Sequence, residues 1–313
     1  MRTINKIAEI ITNNLVALVV LTVALAYFFP GAFVPLKPFI EWFFAFTMFG
    51  IGAILSVKDF APIFRQPRLV LLGILAQFAI MPLAAFVIAR LMRLPDSLAF
   101  GLILAGAVPD AMAAGVMSYI ARADVALSVA LTTGTTLISP VVTPALTYLF
   151  AHEYVPVRFW PMFASIMLMV VVPLLAGLLV RHRCHRFVDR IRSVFPAIST
   201  VFIAFICGLV VALNRESLGR ITGIVFAAVV LLNLAGLVLG YWAGFIFRFD
   251  LRQRRTLAIG VGMQNAGLGA VLAIKYASPE AAIPNALFAT WCIVSAAILA
   301  GFWNRRKGGA AAR

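Results

Sequence analysis

Long apolar runs separated by short polar breaks dominate the pattern of this chain. Ten runs are long enough to cross the roughly 30 Å hydrocarbon core of a bilayer. They cover residues 10–30, 38–56, 68–92, 97–121, 125–151, 159–182, 194–213, 219–247, 253–276 and 281–303. Prolines and clusters of charged residues separate them, which leaves no room for a soluble domain or a long linker. The pattern therefore predicts an all-α polytopic membrane protein with ten transmembrane helices.

Two of these spans are interrupted by polar, glycine-rich segments. Span 4 contains GAVPDAMAAG at 106–115, and span 9 contains GVGMQNAGLG at 260–269. Each segment starts eighteen residues before a polar turn, at Asp124 and Ser278. Glycines permit non-helical backbone, and irregular backbone at membrane depth persists only where protein, water or a bound solute satisfies its polar groups. Two breaks in matching positions predict one shared solute site, which is typical of secondary transporters.

The matched breaks also predict an internal repeat. We divide the chain into a first five-helix repeat, 1–151, and a second, 152–313, in which Gln77 of span 3 corresponds to Asn233 of span 8. Because each half has an odd number of spans, the two halves must have opposite orientations in the membrane. Inverted repeats of this kind place the solute site near the midplane and expose it alternately to the two sides.

Composition and charge agree with this interpretation. The chain is 63% apolar and 12% charged, with a mean hydropathy of +1.04 and a net charge of +15. Nineteen of its 26 Lys and Arg residues fall on the side of the termini, which the positive-inside rule assigns to the cytoplasm. The remaining seven are Lys37, Arg90, Arg93, Arg158, Arg215, Arg220 and Lys275. The basic residues therefore set topology, and a nucleic-acid partner is not expected.

Catalytic and metal-binding chemistry is poorly supported. The three cysteines, Cys184, Cys207 and Cys292, have no spacing typical of a disulfide framework or a thiolate metal site. The three histidines lie in connections, and a membrane aspartyl protease would need a second buried carboxylate. We expect no enzyme activity and no cofactor, and a receptor without transport remains an alternative that a measured flux would exclude.

Asp110 is the one acidic residue deep inside a predicted span. A carboxylate at the membrane centre costs on the order of 3 kcal/mol on insertion scales, so it normally faces a cavity, is paired or is protonated. One interpretation is that Asp110 caps the second half of a broken span 4. The other is that it binds a coupling cation or carries a proton.

Polar side chains on three other spans could join Asp110. Gln264 and Asn265 lie within the break of span 9, and Gln77 lies in span 3. Span 5 carries hydroxyls at spacings of four, three and four, so they share one helical face. They are Ser128, Thr132, Thr135 and Ser139. Amide, hydroxyl and backbone oxygens of this kind could cage Na⁺, while half-helix N-termini suit an anionic solute.

At these residues the chain resembles the bile acid:sodium symporter family, and especially its ten-helix bacterial members. The resemblance covers nearly the whole length and is carried by GILAQFAIMPLAAF, VMSYIARADVALSVALTTGTTLISPVVTPAL and VGMQNAGL. It implies a panel domain of spans 1, 2, 6 and 7, a core domain of spans 3–5 and 8–10, and broken spans 4 and 9 that cross. It also implies Na⁺-driven uptake of small organic anions, bile-acid-like or pantoate-like, across a bacterial inner membrane.

The resemblance assigns site residues only in part. The cation ligands that match are Gln77, Ser128, Thr132, Gln264 and the carbonyls of Val261 and Met263, and the implied solute contacts are Pro109, Asp110, Met112, Asn265 and Thr290. Three family ligands are absent: a Ser-Asn pair is Ala114-Gly115 here, and a Glu shared by two sodium ions is Gly260. The family's Pro-Gly-Gly-Thr has Asp110 in place of Gly and Met112 in place of Thr.

A carboxylate missing from span 9 and another gained on span 4 leave two hypotheses open. Asp110 either replaces the missing ligand in a Na⁺ symporter, or it serves a Na⁺-independent or H⁺-coupled carrier. In both cases we expect a small organic anion and the lipid bilayer as partners, with no obligate protein partner evident.

Overall fold

The computed structural model describes residues 2–56, 64–191, 194–216 and 218–305. Within these ranges the chain is helical. The helices are α1 Arg2–Asn13, α2 Leu15–Phe28, α3 Ile40–Ile54, α4 Pro67–Leu91, α5 Asp96–Ala107, α6 Ala114–Ile120, α7 Val125–Ala151, α8 Phe159–Ile166, α9 Val172–Arg183, α10 His185–Arg190, α11 Val194–Leu213, α12 Leu218–Ile246, α13 Leu251–Gly262, α14 Ala266–Tyr276 and α15 Ile283–Arg305. A π-helical turn, Met167–Val171, joins α8 to α9.

The described helices account for the predicted spans in three ways. Seven helical stretches are individually long and apolar enough to cross a membrane. An eighth span requires α1 and α2, which are bent by 75°, to act together. Predicted spans 4 and 9 are each two shorter helices, α5 with α6 and α13 with α14. Large apolar side chains such as Trp42, Leu91 and Trp160 are exposed, as expected where lipid replaces water. The chain is an all-α polytopic membrane protein.

Some of the charge pattern lies beyond the described residues. Lys58, Arg192, Arg306, Lys307 and Arg313, which contribute to the predicted excess on the terminal side, lie outside the described ranges.

Three helix ends in the described part have the same construction. One follows α6, where Arg122 takes φ 52° and the Ala123 N–H donates to Ser118 O at 2.8 Å. The other two follow α4 and α12. After α4, Arg93 takes φ 50° and the Leu94 N–H donates to Ala89 O at 3.0 Å. After α12, Arg248 takes φ 60° and the Phe249 N–H donates to Gly244 O at 2.8 Å. These are Schellman-type ends, which satisfy terminal carbonyls with one left-handed residue. The turns after α4 and α12 each lead into the first half of a broken span, whereas the turn after α6 leads into α7.

The glycines beside the breaks act through close packing rather than through unusual dihedrals. Among the described residues no glycine has a positive φ. A Cβ on Gly106 would collide with the Met81 carbonyl, and one on Gly262 would collide with Leu237. Glycine therefore lets the broken spans approach α4 and α12, in line with the use of small residues at membrane helix contacts.

Candidate cation and solute site at the crossing of the broken spans

The two unwound segments lie against each other and pair through their backbones. The Ala111 N–H donates to Met263 O at 2.8 Å, and the Asn265 N–H donates to Pro109 O at 2.8 Å. These bonds form an isolated antiparallel bridge between Asp110 and Gln264. Backbone groups released by each break are thus satisfied by the other break, as a water-poor environment requires. The predicted crossing of spans 4 and 9 is present.

The Asp110 carboxyl group is buried at this crossing and held by two hydroxyls. Its side chain is 2% exposed. Thr132 Oγ1 donates to Oδ2 at 2.9 Å, and Thr135 Oγ1 donates to Oδ1 at 2.7 Å. Thr135 was in the predicted hydroxyl stripe of span 5 but not in the predicted cation set. Its three-residue spacing from Thr132 is the signal that could have included it.

Helix capping does not account for Asp110. The N-cap of α6 is Ala113, and it has no side-chain cap bond. On the other broken span, Asn265 does cap α14, because its Oδ1 accepts from the Leu268 N–H at 3.2 Å. The Asp110 oxygens therefore face α7 instead of the helix that follows them.

A second polar group lies along the break of span 9. Gln77 Nε2 donates to Gln264 Oε1 at 2.8 Å, and Gln264 Nε2 donates to Val261 O at 2.7 Å. Asn233, the predicted counterpart of Gln77, donates from Nδ2 to Gly262 O at 2.8 Å. All three amide side chains are buried. We call Gln77, Asn233 and Gln264 the amide cluster.

Some predicted cation ligands have other partners. Ser128 accepts a hydrogen bond from Ser118 at 3.2 Å instead of contacting Asp110. The Met263 carbonyl accepts from Ala111. Thr143, one turn beyond the predicted stripe, donates to the Ala107 carbonyl at 2.8 Å and so satisfies the end of α5. Sequence inspection missed Thr143, although its spacing of four from Ser139 continues the stripe.

The two predicted sets of site residues differ in how many of their members are buried. The predicted cation ligands, Gln77 through Gln264, are all buried. Of the predicted solute contacts, Met112, Asn265 and Thr290 are half-buried, whereas Pro109 and Asp110 are buried. Thr290 on α15 lies near the Cys207 thiol of α11, whose hydrogen bond goes to Ala286 O of α15, so Thr290 lies where these two helices meet. Part of the surface of Met112, Asn265 and Thr290 therefore lies outside the packed core.

The atoms at the crossing that could bind a cation are all oxygens, which are hard ligands. Among the described residues no group of three or more His, Cys, Asp or Glu side chains could hold a metal ion. The crossing offers one carboxylate with hydroxyl, amide and backbone oxygens around it. Hard oxygen ligands suit alkali and alkaline-earth cations rather than transition metals.

The sequence of this chain is similar to those of known membrane transporters. Residues 42–221 match the sequence model of the Sodium Bile acid symporter family. A Bacillus subtilis (strain 168) protein named "Uncharacterized sodium-dependent transporter YocS" is 38% identical over 303 residues, covering 97% of this chain and 94% of that protein. The chain is 33% identical over 301 residues to "Probable sodium/metabolite cotransporter BASS1, chloroplastic" of Oryza sativa subsp. japonica, covering 96% of this chain and 74% of that protein.

The helical architecture, the crossed breaks and the match over more than half of the chain lead to one conclusion. This chain belongs to the sodium bile acid symporter family and is a multi-pass membrane transporter, not an enzyme.

Proposed function

We propose that this protein is a Na⁺-coupled secondary transporter of small organic anions, in which Asp110 supplies the anionic ligand of the coupling cation. The observation that carries the proposal is the buried Asp110 carboxylate, held by Thr132 and Thr135 at the crossing of the broken spans. A carboxylate so placed needs a counter-charge if it is to stay ionised. A bound Na⁺ supplies it.

The same carboxylate explains how cation and anion are coupled. The half-buried solute contacts Met112 and Asn265 lie within two and one residues of Asp110 and Gln264 in sequence. An organic anion entering beside an ionised Asp110 is repelled, and a cation on that carboxylate removes the repulsion. Each ligand therefore raises the affinity of the other, by an amount that for coupled sites is typically about 1–3 kcal/mol.

We further propose that the structure represents a state closed on the periplasmic side. Lys275 Nζ lies 2.7 Å from Glu41 Oε2, and the Tyr276 hydroxyl donates to Pro161 O at 2.7 Å. Asn214 Nδ2 donates to Pro279 O at 2.9 Å. These contacts tie one segment, 275–279, to α3, α11 and the start of α8. By the family resemblance, segment 275–279 belongs to the core domain, and α3, α8 and α11 belong to the panel domain. The contacts therefore join core to panel at the periplasmic end.

The repeat organisation and the orientation complete the proposal. We assign 1–151 and 152–313 as inverted repeats, and the paired Schellman ends after α4 and α12 support this assignment. Alternating access then consists of the core rocking against the panel around the crossing. The charge asymmetry supports cytoplasmic termini in a bacterial inner membrane.

The test is thermal unfolding of the purified protein in detergent, titrated with NaCl, KCl or choline chloride. Binding to the folded state raises its stability by about 2.7 kcal/mol at a hundredfold excess over Kd. We expect a midpoint increase specific to Na⁺ that is lost in Asp110→Asn. If the three salts act alike and the midpoint responds only to pH, with that response lost in Asp110→Asn, the H⁺-coupled alternative replaces the Na⁺-coupled one.

A further inference from the structure

Two ionisable side chains of opposite sign are buried in the described part of the protein. Asp110 is its single buried acidic side chain, and Arg255 is its single buried basic one. The Arg255 guanidinium does not pair with Asp110, since it donates to Ala121 O at 3.1 Å and lies over the Trp303 ring. The positive charge that balances an ionised Asp110 must therefore come from a bound ligand, or a proton must neutralise the carboxylate.

The oxygens around Asp110 suit one monovalent cation. The two carboxylate oxygens and the hydroxyls of Thr132 and Thr135 lie within hydrogen-bond distance of each other. A hydroxyl that donates to the carboxylate can rotate and present a lone pair to a cation instead. One Na⁺ makes this group neutral, whereas a second would leave an unbalanced positive charge in a low-dielectric region.

The amide cluster is closed by its own hydrogen bonds. Gln264 Oε1 accepts from Gln77, Val261 O accepts from Gln264, and Gly262 O accepts from Asn233. Two side-chain oxygens of the cluster, Gln77 Oε1 and Asn233 Oδ1, have no donor. Both are neutral amide oxygens.

A second cation at the amide cluster would have no counter-charge among the described residues. Moving an ion from water into a protein interior costs several kcal/mol even after relaxation, unless an opposite charge and further ligands compensate. Binding through the Gln264, Val261 or Gly262 oxygens would also weaken hydrogen bonds that these oxygens now accept. Two free amide oxygens do not balance these costs.

We propose that this transporter binds one Na⁺ per chain, on Asp110, and that the amide cluster is a structural element without a cation. The inference rests on the proposed Na⁺ coupling and specifies its stoichiometry. Its consequence is electrical: one Na⁺ moving with one monocarboxylate transfers no net charge, so the membrane voltage does not contribute to the driving force of such a cycle.

The test is equilibrium binding of ²²Na⁺ to the purified chain in a choline-based buffer, with protein concentration measured by amino-acid analysis. We expect one Na⁺ per chain with a hyperbolic isotherm, no specific binding in Asp110→Asn, and one Na⁺ per chain in Gln77→Met. The Gln77 variant is the second arm of the test, because it removes the amide that the family resemblance makes a cation ligand and leaves the carboxylate intact.

The outcomes separate the inference from the proposed function. Two Na⁺ per chain, or binding that survives Asp110→Asn and disappears in Gln77→Met, overturns the one-site inference but leaves Na⁺ coupling in place. No specific binding in the unmodified chain overturns Na⁺ coupling itself. The stoichiometry of the unmodified chain needs no variant, so the test does not depend on whether a substitution folds.

Discussion

A Cβ atom placed on Gly260 would lie 3.5 Å from Oδ2 of Asp110. Position 260 is where family resemblance places a glutamate, and Asp110 occupies a position where relatives carry glycine. The two exchanges, 150 residues apart in sequence, thus meet at one point of the fold. This proximity supports the hypothesis that one carboxylate has replaced the other.

Exchanging the residues at positions 110 and 260 should return the carboxylate to the place that it has in the family. We expect Asp110→Gly to abolish the Na⁺-specific midpoint shift and Asp110→Gly/Gly260→Glu to restore at least part of it. At Gly260 a Cβ meets Asp110 at an ordinary contact distance, and that contact disappears in the double variant. The measurement is thermal unfolding in NaCl and choline chloride. A double variant as insensitive to Na⁺ as the single one would argue against replacement.

The two hydroxyls on Asp110 should set cation affinity. Thr135→Val keeps the side-chain shape but removes the hydroxyl oxygen that would ligate the cation, so we expect Na⁺ affinity to fall about tenfold, which corresponds to about 1.4 kcal/mol. Thr136→Val is the control, because the neighbouring Thr136 hydroxyl is buried without a partner. Equal effects of the two variants on ²²Na⁺ binding would contradict this role for Thr135.

Na⁺ and H⁺ should compete for Asp110. A single carboxylate cannot hold both, so acidification should weaken Na⁺ binding by up to tenfold per pH unit at pH values where the carboxyl group is protonated. The measurement is the apparent Kd of ²²Na⁺ between pH 5 and 8. A Kd that does not change over this range would place the protonation of Asp110 outside it.

The Lys275–Glu41 pair should favour the closed periplasmic side only slightly. Both side chains are about one-third exposed, and exposed pairs contribute about 0–1 kcal/mol. In a Cys184→Ser background we expect Lys275→Ala to speed maleimide labelling of Cys207 by up to about fivefold. Cys207 is buried where α11 meets α15, and its thiol donates to Ala286 O.

Cys292 provides the internal control for that experiment. It is buried on α15, and its thiol donates to Ala289 O of the same helix at 3.7 Å, so movement between core and panel should leave its labelling rate unchanged. Parallel acceleration at both cysteines would indicate general loosening instead of opening.

A substitution that disturbs the close packing of Gly269, beside the second break, should lower the free energy of unfolding. A Cβ on Gly269 would overlap the Asn285 side chain, and Asn285 donates to Gly101 O at 2.9 Å. We expect Gly269→Ala to destabilise the protein by about 1–3 kcal/mol, as overpacking does. Gly301→Ala is the control, because no atom lies within 4 Å of its Cβ position. There we expect no loss of unfolding midpoint, and a similar loss at both would show that packing is not the cause.

Sequence reasoning predicted the helices well because each span is a local property. About twenty consecutive apolar residues cross the bilayer regardless of what they pack against, and proline with polar residues at 106–115 and 260–269 predicts a break. Asp110 also stood out locally, because a charge inside an apolar run is rare. The assignment of Ser128, and not Thr135, to the cation ligands stays a prediction. Both lie on one face of α7, but only the second reaches the carboxylate.

The sequence by itself determined that the chain is a helical membrane protein with two broken spans and one carboxylate at depth, since these follow from hydropathy and backbone chemistry over short stretches. The tertiary structure decided which side chains surround that carboxylate. Gln77 and Gln264 hydrogen-bond across 187 residues, and Thr135 reaches Asp110 across 25. No local rule predicts these contacts, because they depend on how far one half of the chain is rotated and shifted against the other.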